Sequence, residues 1–353
     1  MLSGKELIIA TKKYAKENRF KSWLYTLSTL VLLIFLFIGS YWNYSIYLKL
    51  VCSILSVFTF SRMFVIYHDY LHHAILNKSI LAKIIFYVFG LFSLAPTSIW
   101  KRSHDYHHKN NSKLFSASIG SYPIMNKEQF LKAEKKDRIH YLATRHPITI
   151  IFGYLTMFLY GMCIQSFIKN PRRHFDSLVA ILLHILFGCV LFIYGGFSAL
   201  ILTLIIPYTL TFGFGAYLFY AQHNFPGVKF KNNIEWSYDH AALQSSSFMV
   251  MKPFMRWATA NIGYHHIHHI NSRIPFYRLP EAMSHFPELQ KATTTSLKLK
   301  DIIACLKLKI WDPKQGKMLT LNEIFIEKID TIDNLCSEIE DQIIPKSKTF
   351  TTH

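Results

Sequence analysis

Four long apolar runs constrain the fold of this chain more than any other feature. They lie at about 23–39, 46–67, 178–194 and 197–220. A hydrocarbon core of roughly 30 Å is crossed by about 20 helical residues, so each run predicts a membrane-spanning helix. Tyr and Trp residues stand at the ends of these runs, as is typical of the membrane–water interface. The sequence therefore predicts an all-α integral membrane protein.

The composition agrees with this prediction. Hydrophobic residues make up 51% of the 353 residues and charged residues 17%, whereas soluble domains carry about 25% charged residues. Such a composition excludes a disordered chain. The five cysteines lie far apart and form no paired motif, so we interpret them as buried thiols rather than zinc or redox groups.

Charge predicts the orientation of the spans. Residues 1–22 carry six Lys and Arg, whereas the linker 40–45 carries none. Basic residues also precede the third run, and the turn after it, Gly195–Gly196, is uncharged. By the positive-inside rule, both helical hairpins open toward the cytoplasm. Much of the net charge of +18 then serves topology, and we expect no nucleic-acid partner.

The chain thereby divides into four regions. These are a basic cytoplasmic N-terminus at 1–22, a membrane region at 23–220, a cytoplasmic segment at 221–315 and a cytoplasmic tail at 316–353.

Ten of the eighteen histidines fall in three short clusters that begin at His68, His104 and His265. Residues three and four apart share one face of a helix. Each cluster therefore presents several imidazoles on one stripe. The aligned residues are His68 with His72, His104 with His107 and His108, and His265 with His268 and His269. This spacing is what a set of metal ligands requires.

So many imidazoles exceed the four ligands of a structural zinc site, which usually includes Cys. They indicate two metal ions, and imidazole suits iron, copper and nickel. All three clusters must lie on one membrane face to share a centre. Two weaker apolar runs, Ile84–Ile99 and Ile148–Ile168, separate the clusters and cannot cross once. We therefore expect four spans in two hairpins plus interfacial or re-entrant helices, capped by a cytoplasmic helical domain that carries the histidines.

With these residues, the chain resembles the membrane-bound acyl-lipid fatty acid desaturases. That family has three histidine boxes, which match His68-x-x-x-His72, His104-x-x-His107-His108 and His265-x-x-His268-His269. A further family histidine after the last span matches His223 in Gln222-His223-Asn224. The residues around the third box resemble the bacterial omega-6 (delta-12) branch.

The resemblance implies an oxidoreductase with two iron ions that uses dioxygen and two external electrons to insert a cis double bond into a lipid acyl chain. The iron ligands it implies are His68, His72, His104, His107, His108, His223, His265, His268 and His269, with no further catalytic residue. The sequence has no flavin, haem or iron–sulfur motif, so a ferredoxin-type donor is expected first and cytochrome b5 second. The expected location is a bacterial inner membrane, with the site on its cytoplasmic face.

Alternatives remain open at this point. His73 and His266 adjoin box ligands, and either replaces its neighbour if the helix unwinds. We also hypothesise that Asp69 and Asp105 orient the ligands. Within the same superfamily, the boxes also suit a hydroxylase of fatty-acyl or hydrocarbon chains. A histidine-rich metal transporter would need ligands within the spans, where only His184 lies. The double-bond position, the lipid head group and the oligomeric state do not follow from the sequence.

Overall fold

The computed structural model describes residues 2, 4–42, 44–114, 122–231 and 234–326. Within these ranges the chain is mostly helical. Most of the predicted tail, residues 327–353, lies outside the described residues.

Helices α1 to α5 occupy the first third of the chain. Their bounds are α1 Gly4–Thr11, α2 Arg19–Tyr41, α3 Ile46–Leu71, α4 Ile80–Phe92 and α5 Thr97–Asn110, with a 3₁₀ turn at Lys12–Ala15. The Asn18 side chain accepts a hydrogen bond from the Lys21 N–H and so caps α2. Helices α2 and α3 are both long and apolar enough to cross a membrane.

The contact between α2 and α3 depends on small and polar residues. The buried stripe of α2 includes Ser22, Thr26 and Thr29, while its outer face exposes large apolar side chains. A Cβ built on Gly39 would lie 2.6 Å from Sγ of Cys52. The two helices thus approach closely, as small residues allow in membranes.

The weak run Ile84–Ile99 forms a sharply bent pair. Helices α4 and α5 meet at an angle of 91° across a short break that contains Pro96. Proline removes a backbone N–H and disfavours helix in the preceding residue, which places the break here. Such a bent pair is either a broken span or a re-entrant loop.

The middle of the chain continues with α6 Lys127–Lys132, α7 Lys135–Thr144, α8 Pro147–Ile151, a π-helix at Tyr154–Gln165, α9 Ser166–Lys169, α10 Phe175–Ala199, a π-helical stretch at Leu200–Ile205 and α11 Ile206–Ala221. The predicted run Ile148–Ile168 thus forms α8, the first π-helix and most of α9. That π-helix packs against α10 and α11.

Residues Phe175–Ala221 form one apolar helical stretch that is interrupted at Gly196. Gly196 has φ 68° and ψ −170°, a conformation that is essentially restricted to glycine. Gly188 and Leu204 would be about 24 Å apart on a straight helix. A Cβ built on Gly188 would nevertheless lie 3.3 Å from the Leu204 side chain. The chain therefore reverses direction at the glycine pair.

The remaining elements are short. They are α12 Tyr238–Gln244, β1 Phe248–Val250, α13 Pro253–Ala258, α14 His265–Ile270, a 3₁₀ turn at Phe276–Arg278, α15 Leu279–His285, α16 Pro287–Gln290, β2 Thr294–Ser296, α17 Leu299–Lys307, β3 Leu308–Asp312 and β4 Lys317–Thr320. Strands β1 and β2 pair in parallel, and β3 and β4 pair antiparallel with a register shift between Leu308 and Ile310. These two small sheets are an addition to the predicted all-α fold.

A second core lies beneath the third histidine cluster. Leu7 of α1 and Tyr14 of the following turn belong to the same hydrophobic core as Ile267 and Ile270 of α14, since α1 packs on α12 and α12 packs on α14. The Asn271 side chain also donates a hydrogen bond to the Thr11 hydroxyl. The N-terminal segment thus covers the helix that carries four histidines.

Candidate metal centre

Five buried imidazoles form a first group, which consists of His68, His72, His104, His108 and His268. The C-terminal end of α3 and its C-cap residue supply His68 and His72, α5 supplies two and α14 supplies one. Nε2 of His104 lies 2.7 Å from Nε2 of His68 and 3.1 Å from Nε2 of His108. Nε2 of His268 lies 3.1 Å from that of His108. The nitrogens therefore converge on one point.

Four buried imidazoles form a second group, which consists of His107, His223, His265 and His269. His223 follows α11 by two residues, and the others lie on α5 and α14. Nε2 of His265 is 2.9 Å from Nε2 of His223 and 3.1 Å from that of His269. Within each group, the ligand atoms all lie within 4.8 Å of one another.

Helices α5 and α14 serve both groups because neighbouring residues on a helix point about 100° apart. On α5, His104 and His108 face the first group, whereas His107 faces the second. The His108 ring also stacks on that of His269, with centroids 4.3 Å apart. The two groups are therefore adjacent, with ring contact between them.

The nitrogen chemistry fits metal ions. Two cis ligands about 2.1 Å from a metal and 90° apart lie about 3.0 Å from each other. The observed Nε2–Nε2 separations of 2.7 to 3.3 Å bracket that value. A neutral imidazole has only one N–H, so two converging Nε2 atoms cannot both donate, and a cation in each group would satisfy their lone pairs.

Burial keeps several of these imidazoles neutral. Burial and the neighbouring imidazoles hold the pKa of His265, His268 and His269 well below the usual value near 6.5. Burial lowers the pKa of His223 to about 4. A metal ligand must present a free lone pair, so neutral imidazoles at pH 7 are in the binding-competent form.

The two alternative ligands lie outside both groups. His73 has φ 60° and an exposed side chain, because the chain leaves α3 at this point. His266 is buried, and its Nε2 contacts the Leu289 carbonyl oxygen at 3.0 Å. Nine predicted histidines are thus brought together, while these two are directed elsewhere.

The two aspartates proposed to orient ligands behave differently. An oxygen of Asp69 lies 3.4 Å from Nδ1 of His68, and its other oxygen accepts the Phe276 N–H at 2.7 Å. Asp69 thereby links α3, next to His68, to the backbone of Phe276, which follows the third histidine cluster. Asp105 instead accepts a hydrogen bond from Lys101 at 2.9 Å on the outer side of α5. The hypothesis that Asp105 orients an imidazole is wrong.

Sequence reasoning missed a buried arginine behind His223. Arg145 is completely buried and donates to the Asn224 side-chain oxygen at 2.6 Å. Asn224 in turn donates to the Cys305 carbonyl at 2.7 Å. Lys309 is also buried and donates to the Arg145 carbonyl oxygen. A single arginine in a polar loop gives no periodic signal, so no pattern could have identified it.

A narrow apolar cavity reaches both imidazole groups. It lies between α3 and α11 and contains side chains of both groups, since His68 and His265 line it. Its walls include Phe64 on α3 and Gly215 on α11, and Thr259 and Ile262 complete them. Most of the surface between the two histidines is apolar.

An apolar helical bundle with two imidazole clusters capable of holding metal defines a metal-binding membrane protein. The model of the fatty acid desaturase family matches residues 44–296. The chain belongs to this family and is an oxidoreductase.

Curated relatives agree with this assignment. A fatty acid desaturase of Bacillus subtilis (strain 168) is 27% identical over 284 residues, which are 78% of each chain. The sn-1 oleoyl-lipid 12-desaturase of Anabaena variabilis is 23% identical over 303 residues, covering 78% of this chain and 79% of the relative. The Delta(12) fatty acid desaturase of Mortierella isabellina is 22% identical and covers 64% of each chain.

Proposed function

We propose that this protein is a di-iron desaturase that introduces a cis double bond into lipid-bound acyl chains, at the omega-6 (delta-12) position. The proposal depends on the cavity between the two imidazole groups, because its mostly apolar lining includes one histidine from each group. The names of the relatives from Anabaena variabilis and Mortierella isabellina support the position.

We assign one iron to each imidazole group, with five ligands in the first and four in the second. When bound, the two irons supply the activation of dioxygen and the removal of hydrogen from an unactivated methylene. Overall, one dioxygen takes two hydrogens from the acyl chain plus two electrons and two protons from outside, and forms two waters.

The protein's own residues position the acyl chain and keep water away from it. Phe64, Phe158 and Phe212 line the cavity and exclude water from an acyl chain within it. His68 and His265 face the cavity from the two groups, so a chain lying there presents its methylenes to both. Positioning of this kind lowers the entropic cost of reaching the transition state.

The proposed topology has four spans in two hairpins, α2 with α3 and Phe175–Tyr194 with Phe197–Ala221. The reversal at Gly196 supports the second hairpin. The bend between α4 and α5 supports a re-entrant pair, which leaves all histidine clusters on one face. We assign that face to the cytoplasm of a bacterial inner membrane, since the basic residues 1–22 lie on the same side.

Two electrons per turnover must arrive from a separate protein. The sequence holds no flavin, haem or iron–sulfur motif, so a ferredoxin-type donor is proposed first and cytochrome b5 second.

The decisive experiment is the fatty-acid profile, by gas chromatography with mass spectrometry, of a bacterial host that expresses the chain with a ferredoxin system. A His104→Ala, His108→Ala variant removes two members of the first group, and His140→Ala removes an exposed histidine as control. A new dienoic acid that disappears only in the double variant supports the proposal. Detection of a hydroxy acid instead would show that the protein is a hydroxylase. Absence of iron from the purified protein would contradict the metal assignment.

A further inference from the structure

The segment from Val250 to Trp257, which includes all but the last residue of α13, lies among the short helices with most of its side chains exposed. Val250, Phe254 and Trp257 are 48%, 51% and 39% exposed. Lys252 and Arg256 are exposed beside them. We call these eight residues the α13 segment. A short segment that exposes three large apolar side chains and two cationic ones is typical of an element inserted into a membrane surface.

Contacts with α3 set the depth of the α13 segment. The Phe254 ring packs edge-on against Phe58, with centroids 4.9 Å apart. The Arg62 guanidinium donates to the Trp257 carbonyl oxygen at 2.6 Å. Phe58 lies nine residues before Tyr67, where the predicted apolar run of α3 ends, which is about 14 Å along the helix. The segment therefore lies well below the end of a proposed span.

The surroundings at this depth are apolar. Arg62 also donates to the Thr29 hydroxyl at 3.1 Å, which places Thr29 of α2 at the same level. Just beyond Thr29, α2 exposes Val31, Leu32 and Ile34, which must face lipid in a spanning helix. The exposed side chains of the α13 segment consequently stand beside lipid rather than water.

The positive charge of the segment favours an anionic lipid group as its partner. The sequence has no acidic residue between Asp239 and Glu281. Lys252 is the N-cap residue of α13, and Arg256 lies in the last turn of that short helix. Among the described residues, neither forms an ion pair. Cations at such a place extend their long stems toward the lipid phosphates, which are the available anions.

We propose that the α13 segment inserts into the cytoplasmic leaflet and that Lys252 and Arg256 bind the phosphate of a membrane phospholipid. Thr259 and Ile262, which follow directly, line the apolar cavity. A phospholipid held at the two cations therefore lies at the wall of the apolar cavity. The proposal rests on the proposed topology, names phospholipid as the lipid class at this site, and is tested without any measurement of activity.

Spin labels test the insertion in the full-length, metal-loaded protein, reconstituted in bilayers after its native cysteines are replaced. A label at Phe254→Cys is compared with Phe35→Cys on the lipid face of α2 and with Leu299→Cys on the exposed start of α17. We expect the Phe254→Cys label to meet dissolved oxygen far more often than a water-soluble nickel chelate, as the Phe35→Cys label does. Accessibility like that of the Leu299→Cys label overturns the insertion.

Retention of phosphatidylglycerol, measured by native mass spectrometry of the detergent-solubilised protein, tests the phosphate site. The Lys252→Gln, Arg256→Gln variant should retain about tenfold less of this lipid, because two cations near a phosphate are lost. The control, Lys300→Gln with Lys307→Gln, removes the same charge from exposed positions on α17 and should retain it like wild type. Equal retention by both double variants overturns the phosphate site.

Discussion

Trp100 lies face to face with His104, with ring planes 8° apart and centroids 5.1 Å apart. The indole is completely buried and also packs against Phe64 and Phe219, two residues of the cavity wall. One side chain thus supports an imidazole of the first group and the wall of the apolar cavity.

Trp100→Ala should therefore destabilise the protein and loosen the first group. Truncation of a fully buried Trp costs about 3–5 kcal/mol, because the cavity left behind refills only partly. Trp100→Phe keeps most of the stacking area and should cost less. Thermal unfolding of the detergent-solubilised protein, together with its iron content, measures both effects. Unchanged unfolding and iron content in Trp100→Ala would show that the stack has no supporting role.

The paired variants His72→Ala and His73→Ala decide the ligand register of the first cluster. His72 belongs to the first group, whereas His73 is exposed at φ 60°. We expect His72→Ala to lower the iron bound per chain and His73→Ala to leave it unchanged. Metal analysis of the purified variants measures this, and the reverse result would move the ligand to His73.

Gly215→Leu should block the apolar cavity without disturbing the metal ligands. A Cβ at Gly215 meets nothing within 4 Å, and Gly215 lines the cavity, so a larger side chain has open space to fill. Desaturation should fall at least about tenfold if this side chain replaces the substrate chain, by analogy with binding-site substitutions. The control Leu210→Phe enlarges an exposed residue of the same helix. Full activity in Gly215→Leu would place the acyl chain elsewhere.

Lys309→Met should raise stability in a pH-dependent manner. Burial lowers the pKa of Lys309 to about 8, below the usual value near 10.4. Between these values the unfolded chain binds more protons, so wild-type stability rises with pH, whereas below pH 8 the folded state bears the full cost of the buried charge. That cost is at most about 3 kcal/mol, less whatever solvent screening removes.

The stability difference between Lys309→Met and wild type should therefore be largest at pH 7 and shrink as pH rises from 8 toward 10.5. Thermal unfolding across this range measures it, and the other titrating groups cancel between the two proteins. A difference that does not change with pH would show that Lys309 has its ordinary pKa in the folded protein.

Gly196→Ala should weaken the helical hairpin through the backbone alone. A Cβ at Gly196 has nothing within 4 Å, so the expected cost of about 1–3 kcal/mol comes from its glycine-only conformation. Gly215→Ala, in regular helix with equal free space, should instead be neutral or stabilising by up to about 1 kcal/mol. The unfolding temperature should fall for Gly196→Ala and stay level or rise for Gly215→Ala, and an equal fall in both variants would contradict the backbone argument.

The imidazole groups could largely be predicted from the sequence because helical spacing is a local property. His104 and His108 are four residues apart and meet in the same group, whatever the rest of the chain does. His223 gave no such signal, since its group partners lie on α5 and α14, and only the family resemblance identified it. Its convergence with His265 depends on long-range packing.

Other features depend on tertiary contacts that leave no periodic trace. The sequence predicts α4 and α5 only as a run that cannot cross once, while their 91° angle follows from the break at Pro96 and the packing around it. Asp69 and Asp105 occupy equivalent places in their clusters, yet only Asp69 reaches another segment, at Phe276. Arg145 and Lys309 are polar in sequence but buried in the fold.

The hydrophobic core that α1 shares with α12 and α14 also orders events during synthesis. Leu7 and Tyr14 leave the ribosome early, but their partners Ile267 and Ile270 emerge more than 250 residues later. Until then, the apolar face of α1 cannot be buried in this core and is available to chaperones or to the membrane surface. The N-terminal segment can join this core only after residues up to Ile270 have been synthesised. We infer that the imidazole groups, three of whose members lie on α14, come together late in the biogenesis of this protein.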